Sequence, residues 1–117
     1  MQYKVVEGGV AVFERSQLNK GTLEGCILKI LSRETSYGYA IAAALRQAGF
    51  ADVNEGTLYP LLLRLERKGL LKAEYRASPS GPSRKYYSLT GEGIQYLTEF
   101  EQAWHLTAAA VDAILQD

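Results

Sequence analysis

"NEGTLYPLLLRLERKGLL", residues 54–71, is the stretch that decides the fold of this chain. Four leucines recur in it at i, i+3, i+4 and i+7, which predicts a helix with one buried face: Leu58, Leu61, Leu62 and Leu65. Gly69 follows where a helix commonly ends. Pro60 has no N–H and is tolerated without penalty only in the first turn of a helix. The helix therefore begins either near Thr57 or at Asn54 with a kink, and the sequence alone leaves both starts open.

The side of this helix opposite the leucines is suited to binding DNA. A recognition helix presents its first turn to the major groove, where side chains reach base edges and the helix N-terminus meets phosphate. Groups suited to such contacts lie at the start and on the outer side of the helix: Asn54, Gly56, Thr57, Tyr59, Pro60, Arg64 and Arg67. An ordinary amphipathic helix with a solvated outer face has the same pattern, and Tyr59 equally fits a position in the core.

Helices and strands are also predicted on both sides of this stretch. One helix begins at about Ser16, and a second is capped by Ser36 and closed by Gly49. Two strand-like runs follow at residues 70–76 and 84–89, joined by the seven-residue loop ASPSGPS. Together they predict two helices before the leucine-rich helix and a β-hairpin after it.

The order of these elements is typical of a winged helix-turn-helix domain. Thr90 caps a long final helix, which makes the chain mainly α with a small β-hairpin, an α+β fold. We expect the winged helix-turn-helix DNA-binding domain at residues 16–89 and an added C-terminal dimerisation helix at residues 90–117. Residues 1–15 could form a loose arm or a short strand, and the sequence does not decide between them.

Charge is distributed unevenly along the chain although its formal net charge is zero. Residues 64–87 hold seven basic and two acidic side chains, a local charge of +5, whereas residues 91–117 hold five acidic and no Lys or Arg side chains. Arg84 and Lys85 stand where the hairpin loop rejoins the sheet, from which a wing can reach DNA. A solvated charge pair is the alternative there. This uneven distribution of charge favours attraction of phosphate to the basic part of the molecule.

Composition excludes several classes of protein. A chain of 117 residues with 47% hydrophobic and 22% charged residues is typical of a single globular domain. No apolar run is long enough to span a membrane, no signal peptide is evident, and the single Cys26 fits a reducing compartment, so we expect a cytoplasmic protein. His105 is the only histidine, and neither a catalytic spacing nor a metal-binding cluster appears. We therefore expect no enzyme activity, no metal and no cofactor.

Several segments of the chain together resemble the PadR family of transcriptional regulators. They run in order through residues 20–104 as "KGTLEGCILKIL", "SYGYAI", "EGTLYPLLLRLERKGLL", "GPSRKYYSLTGEG" and "FEQAW". The resemblance implies a winged-helix DNA-binding domain, a homodimer built through the C-terminal helix, and repression of a nearby promoter. It also implies DNA-facing positions at Tyr37 and Tyr39, from Gly56 to Pro60, at Arg64, and at Arg84 with Lys85. Residues 1–15 are longer than the lead-in usual in the family.

The C-terminal helix carries a heptad pattern that predicts a dimer interface. Two sets of residues recur every seven positions and form a seam along the helix: Leu97, Trp104 and Val111, and Phe100, Thr107 and Ile114. Packing on the first helix of the same chain is the alternative explanation. Relatives in the family bind flat aromatic compounds near a position like that of Trp104, which makes it a candidate effector-binding residue. Whether Trp104 binds an effector or only fills the interface stays open at this point.

Two functions compete for this fold. The first is a sequence-specific DNA-binding regulator, expected to be a dimeric repressor that binds a pseudo-palindromic double-stranded operator and is released by a small aromatic or phenolic effector. The second is a winged-helix protein-interaction module that binds no operator. The second function needs no basic wing, so the +5 segment favours the first.

Overall fold

The computed structural model describes residues 3–5 and 11–117 of the chain. Along the chain the elements are β1 (Tyr3–Val5), β2 (Ala11–Phe13), α1 (Arg15–Asn19), α2 (Leu23–Arg33), β3 (Ser36–Tyr37), α3 (Gly38–Ala48), α4 (Glu55–Arg67), β4 (Leu71–Ser78), β5 (Gly81–Leu89) and α5 (Gly91–Leu115). Helices with one small three-stranded sheet in the order β3-β5-β4 make up the winged helix. The mainly helical α+β fold predicted from the sequence is confirmed.

The described residues before α1 form two short strands. Strands β1 and β2 pair antiparallel in a sheet of their own, with Tyr3 opposite Phe13. The helix predicted from about Ser16 is divided in two, because the chain turns between α1 and α2. At this turn the backbone N–H and the hydroxyl of Thr22 both donate to the carbonyl of Asn19, at 2.9 Å each. Gly21, at the turn, is a weak helix former.

The start of α3 differs from the prediction. Ser36 does not cap the helix but pairs with Tyr87 in the sheet, and Tyr37 pairs with Tyr86. The residue that precedes α3 is Tyr37, whose side chain makes no capping hydrogen bond. The sheet therefore gains a third strand that runs directly into α3, and this strand places Tyr37 beside the hairpin.

Helix α4 begins at Glu55, which settles the question raised by Pro60. Asn54 is the N-cap, and Pro60 lies inside the helix in its second turn. Because proline has no N–H, the carbonyl of Gly56 cannot accept the usual hydrogen bond from residue 60. The end is conventional: Gly69 has a φ of 77°, and the N–H of Leu70 donates to the carbonyl of Leu65 at 3.0 Å. Gly49, with a φ of 125°, ends α3 in the same way.

The hairpin is longer and its turn tighter than predicted. Strands β4 and β5 extend to Ser78 and from Gly81, so Pro79 and Ser80 alone connect them, not a seven-residue loop. The register shifts between Arg76 and Ser78, where two residues of β5, Pro82 and Ser83, lie opposite Ala77 alone and form a β-bulge. The prolines do not prevent pairing, since one lies in the turn and the other close to it, where the ladder is irregular. The wing is thus an ordered ribbon.

One core joins the helices to the sheet. Its fully buried members come from α2, α3 and α4 and include Ile27, Leu28, Ile41, Leu45, Leu58, Leu62 and Leu65. The inner face of the sheet adds Leu71 and Tyr87. The predicted leucine stripe of α4 is confirmed, with Leu61 packed at the edge of the core.

Helix α5 packs on the core only through its first half. The hydroxyl of Thr90 caps it by accepting from the N–H of Gly93 at 3.0 Å. Leu97 belongs to the core, and the Phe100 ring lies against Gly25 so closely that a Cβ on Gly25 would overlap it. Among the described helices, α5 included, none combines the length and apolarity needed to cross a membrane.

Candidate nucleic-acid interface

A groove lies where the starts of α3 and α4 meet the hairpin. Its volume is about 600 Å³. Its lining comes from residues 37–39 at the start of α3, from α4, and from both strands of the hairpin: Tyr37, Gly38, Tyr39, Glu55, Tyr59, Tyr75, Ser83, Arg84 and Lys85. Five residues predicted as DNA-binding from the sequence, far apart along the chain, thus lie together: Tyr37, Tyr39, Tyr59, Arg84 and Lys85. Tyr75 of β4 is exposed and also lines the groove.

Asn54 and Thr57 form a capping box at the start of α4. The Asn54 side chain accepts from the N–H of Thr57 at 3.0 Å, and the Thr57 hydroxyl accepts from the N–H of Asn54 at 3.1 Å. The same hydroxyl donates to the Asn54 carbonyl at 2.9 Å. Both side chains are therefore engaged within the helix start. They shape the end of the helix that faces outward, while Gly56 and Pro60 beside them are exposed.

Tyr59 projects from α4 toward the start of α3. It is 47% exposed and is not part of the core, which excludes the alternative of a core tyrosine. Its phenol ring packs against Gly38, where an added Cβ would lie 3.0 Å from the hydroxyl oxygen. Gly38 thus provides the space in which the Tyr59 ring lies, and the two helix starts are in direct contact through this pair.

The two arginines of α4 lie outside the groove, in the last turn of the helix. Arg64 is exposed, with its Nη2 atom 3.6 Å from Oε1 of Glu24 on α2. Arg67 is exposed as well. The Arg64 side chain is 63% exposed and its ion pair with the half-buried Glu24 is long, so the guanidinium can also reach an incoming phosphate.

Lys85 is more constrained than the sequence suggested. Its Nζ atom donates to Oε1 of Glu66 at 3.1 Å and lies 5.3 Å from the centre of the Tyr87 ring. The hydrogen bond with Glu66 raises the pKa of Lys85, and burial raises the pKa of the Tyr87 phenol. Lys85 thus ties β5 to α4, and Glu66 offsets much of its charge.

A row of stacked side chains crosses the outer face of the sheet, away from the core. The Arg84 guanidinium lies 4.6 Å from the centre of the Tyr37 ring. Tyr37 in turn lies 5.3 Å from Tyr86 at an angle of 53°, and the Arg76 guanidinium lies 4.7 Å from the Tyr86 ring. We call these four side chains the aromatic–arginine row. Arg76 was not among the predicted site residues. The register of β4 against β5 places it beside Tyr86, and the pairing of β3 with β5 adds Tyr37 to the row.

The predicted dimer seam of α5 divides into two parts. Leu97 is 5% exposed and Phe100 is packed on the core. These two side chains therefore pack within the same chain and do not form a free surface. From Trp104 to the end of the chain every residue except Ala108 is exposed. Exposed side chains on this half of the helix include the remaining seam residues Trp104, Thr107, Val111 and Ile114. The part of the predicted seam that could meet a partner is therefore the second half of α5.

A second cavity, of about 380 Å³, lies beside Trp104. It is lined mainly by apolar side chains, among them Leu18, Phe50, Phe100 and Trp104. Cys26 borders it, and burial raises the pKa of its thiol, which disfavours the reactive thiolate. Within residues 3–5 and 11–117 no group of three metal-binding side chains occurs.

Comparison with known proteins agrees with this architecture. A PadR-like transcriptional regulator from Bacillus cereus is 46% identical, with a TM-score of 0.79 over 86% of this chain and 98% of that one. A Streptococcus transcriptional regulator is 42% identical, with a TM-score of 0.77 over 86% of this chain and 98% of that one. An uncharacterized protein from Lysinibacillus sphaericus is 32% identical over 104 residues, which cover 87% of this chain and 95% of the relative.

The family model for the transcriptional regulator PadR-like family matches residues 27–99, from within α2 to the packed half of α5. The matched segment includes all the residues that line the groove. Members of this family are DNA-binding transcription regulators and not enzymes, in agreement with the expectation from the sequence. The chain belongs to the PadR-like family of DNA-binding transcriptional regulators.

Proposed function

We propose that the protein is a homodimeric repressor that binds a pseudo-palindromic operator and is released by a planar aromatic effector. The observation that carries this proposal is the groove in which Tyr37, Tyr39 and Tyr59 lie together with Arg84. Hydroxyls and rings that can contact base edges are combined there with a cation that can contact phosphate. The capped start of α4 borders the same groove and directs its N-terminal dipole outward.

Support for a homodimer comes from the second half of α5. Trp104, Val111 and Ile114 lie on one side of the helix and are exposed in the single chain. An isolated helical segment of this length is marginally stable in water, so a partner that covers the apolar side would stabilise it. A two-fold pair of α5 helices covers both copies at once and presents two recognition helices to two half-sites.

Support for an effector comes from the cavity beside Trp104. Its volume of about 380 Å³ lies within the usual range for small-ligand sites. Phe50, Phe100 and Trp104 offer ring faces and edges, which suit a flat aromatic molecule. The cavity adjoins the exposed half of α5, so a ligand there could change how two protomers pack and hence the spacing of their recognition helices.

DNA binding is tested by selection and a salt titration. The purified protein is used to select from a duplex library with a randomised centre of about 25 base pairs, enough for two half-sites one helical turn apart. We expect an inverted repeat to emerge, with an affinity that falls steeply between about 50 and 200 mM salt as counterions are released. Binding that ignores salt, or no enrichment of any sequence, would favour the protein-interaction module over the operator-binding regulator.

A further inference from the structure

We infer that Tyr86 and Arg76 are positioning residues for DNA binding, which act through Tyr37 to hold the Arg84 guanidinium at the edge of the groove. The inference rests on the proposed function and assigns a role in it to the outer face of the sheet. Tyr86 and Arg76 themselves do not line the groove, whereas Tyr37 and Arg84 do. An effect of the first two on the groove therefore passes through the second two.

The side-chain contacts form one continuous series from β4 to the groove. Oε1 of Glu74 accepts from Nε and Nη2 of Arg76 at 2.9 and 2.6 Å, which fixes the plane of that guanidinium. Arg76 lies over the Tyr86 ring, Tyr86 packs against Tyr37, and Tyr37 carries Arg84. Arg76 thus supports Tyr86, and Tyr86 supports Tyr37. Tyr37 in turn supports Arg84, which is exposed at the groove.

Backbone pairing places all of these side chains on one face. Tyr86 pairs with Tyr37 on one side and with Glu74 on the other, and Arg84 pairs with Arg76. Successive side chains of a strand point to opposite faces, so the buried Tyr87 faces the core while Tyr86 faces out. The row can therefore be altered without removing a side chain from the core.

The two arginines of the row differ in what they can do. The charge of Arg76 is offset by Glu74, so Arg76 serves as a flat group that covers Tyr86. No acidic partner of Arg84 is found in the described part of the chain, and its guanidinium is held only through the face of the Tyr37 ring. Its N–H groups at the rim of the guanidinium plane remain free to donate to phosphate. A stacked arginine loses less side-chain freedom on binding than a mobile one, which is the benefit that the row confers.

The test is a double-mutant cycle on the selected operator. Tyr86→Leu should weaken binding by about two- to fivefold per protomer, the range for exposed cation–π contacts, whereas Tyr86→Phe keeps the ring and should bind like the wild type. In the Arg84→Ala background, Tyr86→Leu should have no further effect. Tyr86→Leu should also reduce the salt slope although it changes no charge, because the phosphate contact of Arg84 is lost.

Other outcomes would overturn the inference. An equal loss of affinity from Tyr86→Leu in both backgrounds would show that Tyr86 acts independently of Arg84, and an unchanged salt slope would show the same. If Tyr86→Leu fails to fold, the double substitution Glu74→Gln with Arg76→Met, which leaves the net charge unchanged, is measured instead, with the same expectation of no effect in the Arg84→Ala background. A wild-type protein that lacks salt-dependent DNA binding contradicts the proposed function itself, whereas wild-type binding with an unaltered Tyr86→Leu variant contradicts only the role of the row.

Discussion

The Nζ atom of Lys85 on β5 lies 3.1 Å from Oε1 of Glu66 on α4. This ion pair connects the wing to the candidate recognition helix across the edge of the groove. It also leaves Lys85, one of the basic residues of the wing, with a carboxylate partner that DNA phosphate would have to displace.

Glu66→Gln should therefore strengthen binding to all DNA sequences. The substitution removes the partner of Lys85 and frees its ammonium group for phosphate, so the salt slope should steepen by about one for each protomer bound. Glu99→Gln, on the exposed surface of α5, makes the same change in net charge and is the matched control. Fluorescence anisotropy with operator and random duplexes measures both variants. Equal behaviour of the two variants would mean that only the overall charge matters and that the ion pair has no special role.

The free energy of unfolding should fall in alkaline solution, because the Lys85–Glu66 ion pair and the neighbouring Tyr87 both titrate there. The pKa of Lys85 is raised above 10.5 in the folded state, so its stabilisation is complete below that value and is lost as the pH rises through the folded pKa. Burial raises the pKa of Tyr87 above 10.0, and ionisation of this phenol in the unfolded chain acts in the same direction. Urea unfolding at about pH 8 and about pH 11 should show the loss, and it should be smaller in Glu66→Gln. A free energy of unfolding that is constant over this range would contradict both assignments.

Gly38→Ala should reduce the preference for the operator while the domain stays folded. The new methyl group would displace the Tyr59 ring, which is half exposed and free to move outward. We expect the preference for operator over random DNA to drop by about five- to tenfold, the lower end of what one base contact supplies. Tyr59→Ala should cause a similar drop. The double variant Gly38→Ala/Tyr59→Ala should lose no more of the operator preference than either single variant. Additive losses would show that Gly38 and Tyr59 act separately.

Val111→Asp should produce a folded monomer that binds the operator weakly. An aspartate there would bury an unpaired charge between two copies of α5. Ala113→Asp introduces the same residue on the opposite side of the same helix and should leave the dimer intact. Leu97→Asp should instead unfold the domain, since Leu97 lies in the core. Analytical ultracentrifugation with circular dichroism separates these outcomes, and a dimer that survives Val111→Asp would remove this side of α5 from the interface.

A planar aromatic ligand should quench the fluorescence of Trp104, the sole tryptophan of the chain, and release operator DNA. A hundredfold release requires about 2.7 kcal/mol of coupling between the two sites, and stacking on rings supplies about 0.5–1.5 kcal/mol per aromatic pair beyond burial. A panel of phenolic acids and planar cationic dyes is titrated with and without operator. Saturable quenching without release would identify a binding site that is not coupled to DNA, and no quenching by any compound would leave Trp104 as an interface residue only.

Features that depend on neighbouring residues were predictable from the sequence. The leucine stripe of α4, the glycines at 49 and 69 and the cap at Thr90 all follow from side-chain periodicity or local backbone geometry within a few positions. The kind of fold follows from the order of these elements. The capping role of Asn54 and Thr57 could also have been recognised, since the two residues are three positions apart.

The tertiary structure alone decided which distant residues meet. Pairing of Tyr37 with Tyr86, across 49 positions, created the third strand and the aromatic–arginine row, and no local pattern marks a two-residue strand. The heptad pattern of α5 could not distinguish an interface from a core, because both bury the same apolar side chains. Phe100 belongs to the core, because Gly25 has no side chain and leaves room for the Phe100 ring within the same chain. Periodicity shows which side of a helix is apolar, whereas what covers that side depends on contacts that form only when the whole chain has folded.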